Sequence, residues 1–83
     1  MSPKEALEAR ALVTAMAYAA ARVAVDAAIA RLYHDDIPLS RSAKARAFRD
    51  AKGRLHDARQ VESAAWAENS EAQRSLEAAR TKR

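Results

Sequence analysis

The residues with the greatest potential for chemistry lie in two parts of the sequence. His34, Asp35 and Asp36 are consecutive, and all three are residue types that ligate metal ions. The other histidine, His56, would be carried roughly 22 Å away along the second helix of an antiparallel hairpin. A metal site needs three or four convergent ligands, and adjacent aspartates are common in solvated turns. We therefore predict no metal site and interpret residues 34–36 as part of a turn.

No motif in the sequence indicates catalysis. The chain contains no cysteine, and it has no glycine-rich loop, nucleophile elbow or HExxH pattern. Glu62 and Asn69 are polar residues at positions of an otherwise apolar helical repeat. Such residues more often set helix register and oligomeric state than take part in chemistry. We therefore predict a non-enzymatic protein without a cofactor, in which Glu62 and Asn69 set the register.

The positive charge is concentrated in one segment. The chain carries a formal net charge of +4, and residues 41–59 hold seven basic and two acidic side chains. Cations at a helix N-terminus oppose the helix dipole, so local helix stability does not account for them. The segment could be a solvated surface, contact an acidic protein partner, or follow nucleic-acid phosphates, although no DNA-reading module is recognisable. The predicted basic patch consists of Arg41, Lys44, Arg46, Arg49, Lys52, Arg54 and Arg59.

Two long helices joined by one turn must position these residues. The stretch Ser2-Pro3-Lys4-Glu5 has the pattern of a capping box, with proline at the first helical position. No further helix breaker follows until Pro38, so we predict a first helix over about 3–34. Proline disfavours helical geometry in the residue before it. A turn is therefore expected over 35–40, with Ile37 and Leu39 covering the open end of the hairpin.

The second helix is predicted over about 41–80, with Ser40 or Ser42 as its cap. Phe48 begins its seam and is expected in the core. Gly53 and the stretch near Asn69 are weak points, and the alternative is a three-helix arrangement with a short last helix near 70–81. The seam repeat continues through both weak points and favours one helix. The fold class is all-α, a single domain over 1–83 folded as a long antiparallel helical hairpin. The coiled-coil repeat that marks the seam consists of Ala51, Ala58, Ala65, Ala72 and Ala79.

The composition predicts a thin core for such a hairpin. The chain has 23 alanines, whereas leucine, isoleucine, valine and phenylalanine together number 13. Alanine buries little apolar area, and cores of chains below roughly 70–80 residues are already marginal. The large residues of the first helix also point in two directions. Leu7, Tyr18, Val25, Ile29 and Leu32 lie on one side, and Leu12, Val13, Met16 and Val23 lie on another.

One partner helix cannot cover a helix that is apolar on two sides. A symmetry mate, another protein or lipid must supply the second surface. Lipid is disfavoured, because Arg22 and Asp26 would lie near the middle of a span, where charged residues cost about 2.5–3.5 kcal/mol each. One turn apart, these two residues are expected to pair with each other. We predict a two-fold dimer of hairpins forming a helical bundle, whose protein interface consists of Leu12, Val13, Met16, Tyr18, Val23 and Trp66.

The predicted function is structural or interaction-based. The chain would be a small helical assembly or adaptor subunit that buries its alanine-rich helix against a symmetry mate or a protein partner. One alternative is a basic nucleic-acid-binding helical dimer that uses residues 41–59, and another is a designed helical oligomer without a natural function. Abundant alanine and arginine are typical of GC-rich bacterial or phage genomes. The N-terminus lacks a signal-peptide pattern, so we expect a cytoplasmic location, or a virion or assembly component for a phage protein.

Overall fold

The computed structural model describes residues 2–32 and 40–81, which form two helices. Helix α1 spans Pro3–Leu32 and helix α2 spans Arg41–Thr81. The helices run antiparallel: residues later in α1 contact residues earlier in α2. Arg10 contacts Glu71 at 3.8 Å, and Arg22 contacts Glu62 at 3.1 Å. The predicted all-α helical hairpin is therefore confirmed.

Each helix begins at a serine cap. The amide of Glu5 donates to Ser2 Oγ at 3.2 Å, and the amide of Ala43 donates to Ser40 Oγ at 3.3 Å. Such a cap stabilises a helix by about 1 kcal/mol because it satisfies an amide without an intrahelical partner. Of the two caps considered for α2, the structure uses Ser40. The last two positions of the predicted first helix and most of the predicted turn, with Ile37 and Leu39, lie outside the described residues.

Helix α2 passes through both predicted weak points without a break. Its 41 residues include Gly53 and Asn69 in one continuous α-helix. Gly53 does not have a positive φ. The three-helix alternative is therefore wrong. The physical reason is that half-buried or buried side chains of α2 lie on both sides of Gly53 and of Asn69, so tertiary packing outweighs the weak local propensity.

We expect Gly53→Ala to raise the free energy of unfolding by about 0.5–1 kcal/mol, because alanine loses less backbone entropy than glycine in a helix interior. An ideal Cβ at this position meets no heavy atom within 4 Å, so the methyl group introduces no clash. Urea denaturation followed by far-UV circular dichroism measures the change. The matched control, Ala64→Gly at an exposed position of α2, should lower stability by a similar amount. An unchanged Gly53→Ala midpoint would contradict a helical Gly53 in solution.

The helices meet along a narrow seam made mainly of alanine. In α1 the buried residues are Ala11, Thr14, Ala21, Val25 and Ala28, and together with half-buried Tyr18 they follow alternating steps of three and four. In α2 the buried residues are Ala72 and Leu76. Small side chains allow the two helix backbones to approach closely, so dispersion contacts rather than large buried areas hold them together. Among the described residues no large side chain is completely buried, which matches the thin core predicted from the composition.

Phe48 is not part of this core, contrary to the prediction. It is 54% exposed, and Lys52 Nζ lies 5.7 Å from the centroid of its ring. The reason is geometric. A straight α-helix drifts by about 20° per heptad relative to an exact seven-residue repeat. A seam that faces α1 at Leu76 has therefore rotated onto the flank of the hairpin by the time it reaches Phe48.

The hairpin is long and thin, with extents of 66 × 17 × 16 Å and a radius of gyration of 18.8 Å. A compact chain of this length would have a radius of about 12 Å. Its accessible surface is 6689 Å², whereas a compact monomer of the same mass would expose about 4,900 Å². The hairpin alone therefore exposes about 1,800 Å² more than a compact protein of its mass would.

Candidate functional site

The large exposed apolar side chains of α1 lie on the side that faces away from α2. Leu12, Met16 and Val23 are 63%, 64% and 67% exposed. At about 100° per residue, the three lie within about 40° of one another around the helix. They are about 150–190° from the middle of the α1 seam, so the hairpin does not cover them. We call Leu12, Met16 and Val23 the apolar face.

The surroundings of the apolar face are also apolar. Ala19, Ala20 and Ala27 are exposed on or beside it, and Val13, at its edge, is 64% exposed. Surface helices of a monomeric protein normally present polar residues to solvent. Contiguous exposed apolar patches mark sites of association. The arrangement can therefore bind an apolar protein surface, and its small residues permit close approach of another helix.

Arg22, the one basic residue in the middle of α1, is held against α2. Its Nη1 donates to Glu62 Oε2 at 3.1 Å. The hydrogen bond and charge of Glu62 raise the pKa of the Arg22 guanidinium, and Asp26 adds a smaller effect. The prediction that Arg22 pairs with Asp26 is wrong, because the ion-pair partner of Arg22 is Glu62. The bond across the hairpin draws the arginine toward the seam and away from the apolar face.

A polar layer links the helices farther from the turn. Thr14 Oγ1 lies 3.3 Å from Asn69 Oδ1, which also accepts a hydrogen bond from Gln73 Nε2 at 3.4 Å. The Thr14 hydroxyl is 2.9 Å from the Arg10 carbonyl oxygen and 3.1 Å from that of Ala11, so its single hydrogen has alternative acceptors. Glu62 and Asn69, the residues predicted to set the register, are thus each in contact with a polar side chain of α1.

Thr14 was not predicted as a site residue. Its sequence signal is its place in the α1 repeat, between the buried residues Ala11 and Ala21 and in phase with them. A threonine at an apolar position that matches Asn69 of the other helix in an antiparallel alignment indicates a polar layer. Recognising it requires the hairpin register, which depends on the length of the connection between the helices.

We expect the free energy of unfolding of the double variant Thr14→Val/Asn69→Leu to be unchanged or higher by up to about 1 kcal/mol. Replacing both polar partners with apolar groups is often neutral or stabilising. Its register should be less strictly defined, since the variant removes the contact between Thr14 and Asn69 and keeps only the one between Arg22 and Glu62 among the predicted register-setting residues. Amide NMR spectra would then show more than one peak for many residues. Gln60→Leu, at an exposed position, should keep one set. A single sharp set in the double variant would contradict the register role.

The basic patch lies on α2, and all seven of its cations are exposed. An open groove of about 400 Å³ adjoins it near the end of α1. Leu32 of α1 and Phe48 and Leu55 of α2 give it an apolar lining from both helices, to which Lys52 and Arg59 add basic side chains. Its lining residues are Leu32, Phe48, Lys52, Leu55, His56 and Arg59.

The remaining predicted site residues are separated from one another. Tyr18 is half-buried and follows the α1 seam repeat, whereas it was expected to make contacts outside that seam. Trp66 is 57% exposed on α2. His34, Asp35 and Asp36 lie outside the described residues. Within residues 2–32 and 40–81, no group of three His, Asp or Glu side chains could hold a metal ion.

No protein-family model matches this chain, and comparisons with curated protein sequences and with solved structures gave no match.

One further property of α1 concerns its length and composition. In an 18-residue window its mean hydropathy is 1.5, with 22% of that window buried, so it is long and apolar enough to cross a membrane. The core helix of a soluble protein and a signal sequence near the N-terminus meet the same criterion.

Proposed function

We propose that this protein is a non-enzymatic structural or interaction protein, a small helical assembly or adaptor subunit. It acts by burying α1 against a second copy of the chain or another protein. The observation that supports this is the apolar face of Leu12, Met16 and Val23, each more than 60% exposed and directed away from α2. Burying each such side chain would contribute about 1.5–3 kcal/mol. Three of them on each partner would offset part of the entropy cost of association.

A protein surface fits α1 better than lipid does. Arg22 lies in the middle of α1 and is hydrogen-bonded to Glu62 of α2. Insertion of α1 into a bilayer would either break this pair or carry charged residues of α2 into the hydrocarbon. Both alternatives are unfavourable because unpaired charges are costly there. Association with protein leaves the pair intact, since it lies near the seam.

The basic patch would orient an acidic partner, or an acidic region of a partner, against the same hairpin. The alternative function, nucleic-acid binding by residues 41–59, is favoured by one observation. Lys52 Nζ lies 5.7 Å from the centroid of the Phe48 ring, and Arg59 lines the same groove, which combines cations with an aromatic ring as single-strand binders do. Binding to random single-stranded and duplex DNA at two salt concentrations tests this alternative. A steep decrease with salt would support it, and no binding at low salt would remove it.

Light scattering coupled to size exclusion tests the proposed self-association. At micromolar concentrations we expect a mass of at least twice the 9.1 kDa of the chain. The elongated shape makes elution volume alone misleading, so the mass must come from scattering. A well-folded 9.1 kDa monomer over the whole accessible concentration range would contradict self-association.

A further inference from the structure

We infer that the apolar face binds a second copy of this chain in antiparallel orientation, with the two-fold axis between Ala19 and Ala20. The four helices would then lie in a row, with the two α1 helices at the centre and one α2 helix on each outer side. This inference rests on the proposed self-association and specifies its orientation and register. It differs from the closed bundle predicted from the sequence, because the apolar face lies opposite α2 rather than beside it.

The order of large and small residues along α1 supports the antiparallel register. About this axis Met16 lies opposite the partner's Val23, and Leu12 lies opposite the partner's Ala27. At the axis itself Ala19 meets the partner's Ala20, where small side chains allow the two helices to approach closely. Each large side chain thus faces a smaller one, the arrangement by which side chains interdigitate at the density of a protein interior. All of these α1 positions are exposed in the hairpin.

A parallel pairing of the same faces is less favourable. It would place each residue beside its own copy, so that two Met16 side chains form a wide layer directly before a narrow alanine layer. It would also place Asp26, at the edge of the face, level with the partner's Asp26 on the opposite edge of the contact, and two like charges at one level repel. The antiparallel pairing instead brings Asp26 level with the partner's Val13. Opposed helix dipoles add a smaller contribution in the same direction.

The elongated shape of the hairpin leaves exposed surface that a second copy can cover. A standard interface buries about 800 Å² on each partner. Each hairpin exposes about 1,800 Å² beyond the surface of a compact protein of its mass, and the apolar residues of α1 contribute to this excess. From Ala9 to Ala30 the helix offers about 30 Å of length for contact. Pairing through α1 leaves the charged residues of α2 in solvent on both outer sides of the row.

The chain has no cysteine, so single-cysteine variants test the register directly. Met16→Cys and Val23→Cys, mixed, refolded together and oxidised, should form a disulfide heterodimer. Alone, neither variant should cross-link well, because its thiols would lie about 10 Å apart along the axis, beyond disulfide reach. We expect at least about tenfold more heterodimer than either homodimer. Ala19→Cys, beside the axis, should cross-link with itself, whereas Ala64→Cys, exposed on α2, should not.

The possible outcomes separate this inference from the proposed function. A dimer mass with the Met16–Val23 cross-link supports both. A dimer mass with efficient self-cross-linking of Leu12→Cys indicates a parallel pairing, since the antiparallel register places these thiols about 22 Å apart. That result overturns the inference but leaves self-association intact. A monomer mass without any cross-link overturns the inference and the proposed self-association, and leaves a different protein as the partner of α1. Far-UV circular dichroism of each reduced variant checks that its helix content matches that of the unsubstituted chain.

Discussion

Met16→Lys is expected to convert the assembly into monomers, with a dissociation constant raised about 10³-fold or more. A two-fold interface contains every substitution twice. Loss of about 2 kcal/mol of apolar burial at each copy therefore removes about 4 kcal/mol of binding free energy. Placing an ammonium group in the contact adds a desolvation cost in the same direction. Light scattering or sedimentation over a dilution series measures the dissociation constant.

Val61→Lys is the matched control for this experiment. Val61 is 61% exposed on α2, and Met16 is 64% exposed on α1, so the two substitutions add the same charge at apolar sites of similar accessibility. Neither should unfold the hairpin, because both side chains already lie in solvent within one chain. Val61→Lys should leave the mass of the assembly unchanged. An equally intact assembly in Met16→Lys would show that the apolar face is not the interface.

Leu76→Ala is expected to lower the free energy of unfolding by about 2–5 kcal/mol, the range for large-to-small substitutions in protein cores. Leu76 is 5% exposed, and it is one of two buried side chains in the described residues that are larger than threonine, the other being Val25. Alanine has the higher helix propensity, so the loss reports packing and not local helix stability. In a thin seam such a cost is a large share of the total stability.

Urea denaturation of Leu76→Ala must be done at one protein concentration, because self-association adds to the apparent stability. Val61→Ala, which removes an exposed side chain of α2, is the control and should change stability by less than about 0.5 kcal/mol. If Leu76→Ala cost no more than this control, the seam between α1 and α2 would not be the core that stabilises the chain.

Most of the hairpin is predictable because its signals are local. The serine caps, the proline after Ser2 and the scarcity of helix breakers define where both helices start and why α2 does not stop. These features act through backbone hydrogen bonds and dihedral preferences within a few residues. The alanine repeat of α2 likewise predicts which of its sides faces a partner, since it needs only the period of the helix.

The candidate site is less predictable. Periodicity divides the large residues of α1 into two sets, but both sets are similarly apolar, and hydrophobicity alone does not show which one faces α2. The tertiary structure places Val25 in the seam and leaves Met16 in solvent. The choice depends on which side of α1 matches the small and polar residues of α2 in one antiparallel register, a relation between residues far apart in the chain.

Local sequence thus determines the helices, their caps and the seam of α2. Only the packing of α1 on α2 decides that Arg22 pairs with Glu62 instead of Asp26, and that Thr14 meets Asn69. Packing also decides that Phe48 turns out toward solvent as the seam drifts around a straight helix. The physical reason is the same in each case: which side chains meet across a hairpin depends on the alignment and rotation of both helices together, and neither is encoded in a short stretch of residues.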